Sequence, residues 1–380
     1  MQIKQNLEKE NHLEFIDALR GYAIFGVMAS HVSQLTPQWS GFIRKIVDQG
    51  QCGVQLFFLV SALSLLISWN RRKESALKFY VRRLFRILPM FWLGIIFFIS
   101  LNGLDVRYWA PNGMQISDIA FTALTLHGWF PEFFNSVVDG GWSVGVEMSF
   151  YIIFPVLAIF IKSRKLALIS LFLSLFAAYI SFKYFFIYRE LIWPNVAADY
   201  LRWNLINLWL PNQLPVFLIG FVLYYSLFKE IIQLSRLKSQ ILLIASILVM
   251  IYLAIRPNTY NVLFGIISLY SAYGLCFGFF TFTLASGHGK LFINRPIQLL
   301  GKISYSAYLW HFAILALTAR YAPEYIDSVR QSWGGGFASF MIYFLAIMIL
   351  TCFFSAITYH FIEKTMIRLG NNFITRASTY

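Results

Sequence analysis

The sequence predicts an all-α fold, a polytopic membrane helical bundle of about ten transmembrane helices with both termini in the cytoplasm. Three observations predict it. Of 380 residues, 58% are hydrophobic and only 13% are charged, whereas a soluble domain has about 25% charged residues. Ten apolar runs are long enough to cross a bilayer. The basic residues are concentrated between those runs, as in the loops of a membrane protein.

The apolar runs organise the chain into one transmembrane domain over 15–361, between a cytoplasmic N-terminal segment (1–14) and a cytoplasmic C-terminal tail (362–380). The predicted spans, in order, are 16–36, 52–69, 87–103, 142–161, 166–187, 214–228, 240–255, 262–285, 300–319 and 337–361. A weaker segment, 116–130, contains Asp118 and His127, so whether it spans is open from hydropathy alone.

The distribution of basic residues favours ten spans over eleven. With 116–130 re-entrant or interfacial, 21 of the 31 Lys and Arg residues fall on the cytoplasmic side and nine fall outside. An eleventh span would move Lys162, Arg164 and Lys165 outside and invert every later loop, against the positive-inside rule.

The net charge of +14 does not indicate nucleic-acid binding. The basic residues lack the interleaved aromatic side chains of a nucleic-acid groove, so contact with membrane lipid is the expected role. Three isolated cysteines, Cys52, Cys276 and Cys352, give no disulfide framework, and no metal-binding motif is present. We therefore predict no metal.

The first span contains two ionisable residues, Arg20 and His31, whose burial in a membrane costs free energy. Eleven residues at about 100° each bring both side chains to one helix face, roughly 16 Å apart along the axis. A buried ionisable residue in a span is by default functional. The alternatives are snorkelling of Arg20 to the cytoplasmic interface and a structural interhelical hydrogen bond for His31.

A buried carboxylate, Glu147, lies about two turns into the span that begins near Trp142. We expect it at a depth similar to that of His31, where a carboxylate would orient the imidazole as a general base. The alternative is a Glu paired to a structural Arg or Tyr.

The segment 71–86 contains seven basic residues, which include Arg83 and Arg86, and Pro89 follows it. Guanidinium groups match phosphate geometry, so this segment is a candidate site for a nucleotide-bearing molecule. An ordinary anchor on anionic lipid is the alternative. The outer loop 188–213 is rich in Trp and Asn, which suits either sugar rings or an interfacial aromatic belt.

Five motifs occur in order along the chain. They are Arg20-x10-His31, Phe57-Phe58-Leu59-Val60-Ser61, Arg83-x-x-Arg86 before Pro89, Trp142-Ser143-x-x-x-Glu147-x-x-Phe150-Tyr151, and Ile303-Ser304-Tyr305-Ser306-x-Tyr308-Leu309-Trp310-His311. Together they resemble the acyltransferase-3 family of bacterial integral-membrane O-acyltransferases, over about 12–365. One departure is Ser61-Ala62-Leu63, where the family often has Ser-Gly-Phe.

The resemblance implies transfer of an acyl group, usually acetyl from acetyl-CoA, to a hydroxyl of a cell-surface or lipid-linked saccharide at the bacterial inner membrane. It implies that His31 is catalytic with Glu147 as the matching acidic residue, and that Arg20, Arg83 and Arg86 serve donor binding. We expect no additional esterase-like domain of the kind that some members carry, and we expect acceptor delivery from the membrane domain or a partner. The rival hypothesis is a transporter or channel that uses Arg20, His31 and Glu147 as a proton or anion path.

Overall fold

The computed structural model describes residues 13–36, 39–73, 75–256, 261–262, 267–321 and 336–376. Within these residues the chain is helical almost throughout, which confirms the all-α prediction. The predicted N-terminal segment 1–14 lies outside the described residues except at its last two positions, and so do the last four residues of the predicted tail 362–380.

Each of the ten predicted spans coincides with a helix. The helices that correspond to them are α1 (Glu14–Leu35), α3 (Gly53–Arg72), α4 (Ala76–Asn102), α6 (Trp142–Phe160), α7 (Arg164–Ile192), α9 (Leu210–Tyr224), α10 (Arg236–Ile255), α11 (Leu269–Ala285), α13 (Ser304–Tyr321) and α14 (Phe337–Thr358). Shorter helices are α2 (Phe42–Asp48), α5 (Ile116–Ala123), α8 (Asp199–Leu208), α12 (Arg295–Lys302) and α15 (Lys364–Arg376). A small antiparallel hairpin pairs β1 (Asn261–Val262) with β2 (Ile267–Ser268).

Seven stretches of the described residues are long and apolar enough to cross a membrane, and they contain α3, α4, α6, α7, α9, α10 and α14. Helix α11 is apolar but has only 17 residues. Helices α1 and α13 are less apolar because they carry the polar residues that the sequence singles out, Arg20 and His31 on α1 and His311 on α13. The chain is a multi-pass membrane protein.

The segment 116–130 does not span. Helix α5 has eight residues, which reach about 12 Å at 1.5 Å per residue, against a hydrocarbon core of about 30 Å. A 3₁₀ turn, His127–Trp129, follows it. This geometry supports the arrangement with ten spans.

The start of the third span differs from the prediction. The sequence predicts a span that begins near Pro89, after the basic segment 71–86, but α4 begins at Ala76 and includes Pro89 in its interior. The side chain of Ser75 accepts a hydrogen bond from the backbone N–H of Lys78 at 3.4 Å and so caps the helix. Transmembrane helices tolerate an interior proline because neighbouring groups satisfy the freed carbonyl. Arg83 and Arg86 therefore lie on the helix itself.

Three further boundaries differ. The predicted span 300–319 is divided at Ile303 into α12 and α13, and α12 begins before that span, at a cap in which the Asn294 side chain accepts from the Ile297 N–H at 3.2 Å. The predicted span 262–285 starts in the β hairpin. The predicted tail continues the last span through a π-helical turn, Tyr359–Glu363, into the amphipathic α15.

The chain forms two compact units, each assembled from separate parts of the sequence. The first unit contains the described parts of Met1–Ile67, Ser163–Leu171 and Val216–Ser355, and the second contains the described parts of Ser68–Lys162, Phe172–Pro215 and Ala356–Tyr380. Helices α1 and α13 belong to the first unit, and α4 and α6 belong to the second.

Candidate functional site

Glycines fix α1 in the first unit by allowing backbone-to-backbone contact with α12 and with the 3₁₀ turn Gln49–Cys52, which precedes α3. A Cβ added at Gly301 of α12 would lie 1.8 Å from the carbonyl oxygen of Asp17 on α1. One added at Gly50 would lie 2.2 Å from the carbonyl oxygen of Gly26. Small residues permit such close approach in membrane bundles. Any side chain at these glycines would push α1 away, so the positions of Arg20 and His31 depend on them.

Arg20 faces α3, which carries the Phe-Phe-Leu-Val-Ser motif. Its Nη2 donates a hydrogen bond to the hydroxyl of Ser64 at 3.1 Å, and that hydroxyl donates to the carbonyl oxygen of Ser61 at 3.0 Å. The Arg20 side chain is half-buried. The contact therefore directs the guanidinium toward α3.

His31 is held by a neighbour on its own helix. Its Nδ1 lies 3.1 Å from Oε1 of Gln34. Because an amide oxygen only accepts, Nδ1 carries the proton in this arrangement and Nε2 keeps its lone pair. No described residue hydrogen-bonds that Nε2. The ring is partly exposed, between the fully buried Val32 and the buried Ser30, so the free nitrogen is accessible.

Two side chains of α13 line the His31 ring. The ring centroid of His311 lies 5.6 Å away and that of Phe312 lies 4.6 Å away. His311 is fully buried, and its Nδ1 lies 3.1 Å from the carbonyl oxygen of Ala307. The first unit thus brings two imidazoles together, one partly exposed and one enclosed.

The second unit brings together Glu147, Tyr151 and Arg83. The hydroxyl of Tyr151 donates to Oε1 of Glu147 at 2.5 Å. The Arg83 guanidinium carbon lies 5.9 Å from the centroid of the Tyr151 ring, and Arg83 interacts electrostatically with both other residues. Within this unit, Glu147 therefore pairs with Tyr151 and interacts with Arg83, which is the alternative raised from the sequence.

Arg83 is also part of an arginine cluster, formed by Arg72, Arg82, Arg83 and Arg86. The charges of Arg72 and Arg83 act on Arg82, and the charge of Arg86 acts on Arg83. Nε of Arg83 is buried and has no hydrogen-bond partner. Guanidinium groups so placed repel one another, and an anion bound among them would relieve that repulsion.

The segment 116–130 forms hydrogen bonds with the first part of α6, the helix that carries Glu147. Nε2 of His127 donates to the carbonyl oxygen of Gly141 at 2.9 Å, and Nε1 of Trp129 donates to the Ser149 hydroxyl at 2.9 Å. A Cβ at Gly128 would lie 3.1 Å from the carbonyl carbon of Gly145, so the two backbones are in close contact. Burial lowers the pKa of His127 to about 4, which keeps its ring neutral.

The segment 188–213, predicted as an outer loop, is largely helical, since it includes α8. Trp209 is buried and packs with Phe134 and Leu205, while the half-buried Trp193 packs against the same cluster. Trp209 is therefore a packing residue and not available to a sugar.

The structure divides the predicted site residues into two groups. Arg20 and His31 lie in the first unit, whereas Arg83, Arg86 and Glu147 lie in the second. The expected contact between His31 and Glu147 joins different units and stays a prediction. Among the described residues, no group of three or more His, Cys, Asp or Glu side chains is arranged to hold a metal.

Sequence reasoning missed three residues that contact the candidate site: Gln34, Ser64 and, as a hydrogen-bond donor, Tyr151. Two of them could have been found from helical spacing. Gln34 is three residues after His31 and Tyr151 is four after Glu147, and side chains at these separations are neighbours on a helix. Ser64 lies on another helix, and no local pattern indicates its contact with Arg20.

Comparisons with known proteins agree with the resemblance seen in the motifs. A family profile described as an acyltransferase domain, of the acyltransferase-3 type, matches residues 13–360. O-acetyltransferase OatA of Staphylococcus aureus (strain NCTC 8325 / PS 47) is 24% identical over 396 residues, which cover 96% of this chain and 59% of OatA. A second S. aureus protein (strain MRSA252), provisionally named an O-acetyltransferase, is 25% identical over 408 residues, which cover 98% of this chain and 60% of that protein.

The chain thus spans about 59–60% of the length of these curated relatives. No solved structure matches it significantly.

Proposed function

The chain belongs to the acyltransferase-3 family of acyltransferase domains, and from that premise we propose that it is a membrane O-acetyltransferase. It transfers an acetyl group from acetyl-CoA to a hydroxyl of a cell-surface or lipid-linked saccharide, and it resides in the bacterial inner membrane. The names of its relatives, which are O-acetyltransferases, support acetyl as the group transferred.

One observation carries the proposal: the arrangement of His31. Its Nδ1 is held by Gln34, and its Nε2 keeps a lone pair on a partly exposed ring within a membrane helix. A general base needs such a nitrogen within reach of the proton that it removes.

The arginine cluster supports a phosphate-bearing donor. Four guanidinium groups repel one another there, and a buried Nε of Arg83 is left without a partner. Arginine forks bind phosphate oxygens through paired hydrogen bonds. Arg83 and Arg86 would therefore bind the phosphates of acetyl-CoA, and Arg20 would line the donor's path on α1.

The chemistry follows from these assignments. His31 removes the proton of the acceptor hydroxyl, the oxygen attacks the thioester carbonyl, the carbon–sulfur bond breaks, and His31 returns the proton to the departing thiolate. Exclusion of water from the bundle limits hydrolysis of the thioester. A two-step route with the acetyl first on His31 uses the same residues, and trapping of an acetylated His31 would exclude the direct route.

The test supplies radiolabelled acetyl-CoA to membranes that contain the protein and follows the label into the envelope glycan. We expect His31→Ala to abolish labelling while the variant elutes on size exclusion as the wild type does. His360→Ala is the matched control, because His360 is exposed and lies on the π-helical turn after α14.

Labelling by His31→Ala at the wild-type rate would refute the site. If the wild type moves solute or protons across the membrane and forms no acetylated product, the transporter hypothesis is correct instead.

A further inference from the structure

His311 of α13 has an unusual hydrogen-bond pattern for a buried side chain. The ring is fully buried, and its Nδ1 lies 3.1 Å from the carbonyl oxygen of Ala307. A carbonyl oxygen only accepts, so Nδ1 carries the proton and Nε2 presents a lone pair. That Nε2 has no hydrogen-bond partner among the described residues. A buried polar atom without a partner calls for an explanation.

The neighbouring His31 offers one. Its own Nδ1 is engaged by Gln34, so it too presents a lone pair at Nε2. Two lone pairs cannot form a hydrogen bond with each other, which explains why His311 is unpaired while His31 is neutral. Once His31 takes up a proton, its Nε2 becomes a donor.

We propose that His311 is a positioning residue whose Nε2 accepts a hydrogen bond from the His31 imidazolium formed during acyl transfer. The ring centroids lie 5.6 Å apart, a separation at which one water molecule that hydrogen-bonds to both Nε2 atoms would join them while each Nδ1 keeps its partner. The inference rests on the proposed acetyl transfer.

The bond would exist only in the charged state of His31, between removal of the hydroxyl proton and its return to the thiolate. An interaction made only there accelerates the chemical step without tightening substrate binding. Loss of His311 should therefore lower kcat and leave the KM for acetyl-CoA unchanged.

The test compares three variants in membranes supplied with radiolabelled acetyl-CoA, with the endogenous envelope glycan as acceptor. His311→Asn keeps a donor toward Ala307 but removes the Nε2 lone pair, and we expect kcat to fall about 10- to 100-fold, as for loss of a hydrogen bond to a charged group. His311→Gln can place an amide oxygen near the Nε2 position and should lie between Asn and the wild type. Thr318→Val is the control, because it removes a partly buried hydrogen bond of the same helix, to the Tyr343 hydroxyl at 2.7 Å.

Two results overturn the proposal: a wild-type kcat for His311→Asn, or equal losses for the Asn and Gln variants. If His311→Asn does not elute as the wild type does, His311→Met takes its place in the comparison. Failure of the proposed function is seen separately, since then the wild type itself transfers no acetyl group or His31→Ala transfers it normally.

Discussion

At the scale of single residues, the surroundings of the imidazole rings distinguish the histidines. His31 and His311 each bond through Nδ1 to an acceptor and keep Nε2 free, whereas His127 bonds through Nε2 to the Gly141 carbonyl oxygen. The first two belong to neighbouring rings in one unit. His127 stacks on Phe91 at a centroid distance of 5.7 Å, and its hydrogen bond to Gly141 holds the segment 116–130 against the start of α6. His127 also leaves one ring nitrogen, Nδ1, without a hydrogen-bond partner, so the proximity of His31 to His311, and not a free nitrogen alone, distinguishes the pair for which we propose a function.

The neutral ring of His127 predicts a loss of stability in acid. Burial lowers its native pKa to about 4, while the unfolded pKa is about 6.5. As the pH falls through that window, the unfolded state binds a proton that the native state does not. The free energy of unfolding then falls by up to about 1.4 kcal/mol per pH unit.

The measurement is thermal unfolding of the detergent-purified protein between pH 4.5 and 7.5. His127→Asn should be less stable at pH 7.5 because a contact with Gly141 is weakened, yet its stability should decrease less toward pH 4.5. Parallel pH curves for wild type and variant would contradict the prediction.

At the scale of elements, the site depends on how closely α1 approaches its neighbours. Gly301 precedes the Ile-Ser-Tyr-Ser motif and contacts the backbone of Asp17, while Gly53 at the start of α3 contacts the backbone of Ala23, where a Cβ would lie 2.3 Å from the oxygen. Gly53 lies shortly before Phe57, and Gly301 lies shortly before Ile303. Residues that place α1 therefore flank the motifs that the sequence singles out.

Gly301→Ala is expected to destabilise the first unit and to reduce acetyl transfer. The new Cβ would overlap the Asp17 carbonyl oxygen at 1.8 Å, and a backbone atom cannot move aside as a side chain can. Overpacking of this kind costs typically 1–3 kcal/mol or more. The readouts are the yield of folded protein on size exclusion and the rate of glycan labelling.

Gly274→Ala provides the contrast, because its Cβ would meet side-chain methyl groups of Val216 and Ile219 at 3.1 and 3.2 Å. Those groups can rotate away, so this variant should retain far more folded protein than Gly301→Ala. Equal yields would show that close backbone contact does not fix α1.

At the scale of the whole molecule, hydropathy predicted which segments are helical but not where each helix begins. It located ten helices because apolar runs of span length have few other structures available in a membrane. It misplaced the start of α4, since Pro89 suggests a boundary and the cap at Ser75 is a stronger one. The break at Ile303 depends on contact between α12 and α1, which no local pattern reveals.

The candidate site was predictable to the same extent. Arg20, His31 and Glu147 stand out because charge in an apolar run is costly. Ser64, which contacts Arg20, and His311, which contacts His31, lie on other helices. The spacing of residues along the sequence does not predict such contacts between helices.

The last prediction concerns the orientation of the chain in the membrane. It depends on the sides on which the loops after α4 and after α6 lie. Asp105 follows α4 and Lys162 follows α6, and both are exposed. Since α5 is too short to cross the bilayer, α6 is the single crossing between them, and the two positions must lie on opposite sides. The basic residues of 162–165 then place Lys162 in the cytoplasm.

In a background with Cys52, Cys276 and Cys352 replaced by Ala, a membrane-impermeant maleimide added to intact cells should label Asp105→Cys and spare Lys162→Cys until the cells are opened. Labelling of both from outside would mean that 116–130 crosses the membrane, and every later loop would be inverted. The result bears on the mechanism because of the arginine cluster, which lies at the end of α3 and in the first half of α4. Only a cytoplasmic Lys162, with α4 entering from the same side, exposes that cluster to a cytoplasmic thioester donor.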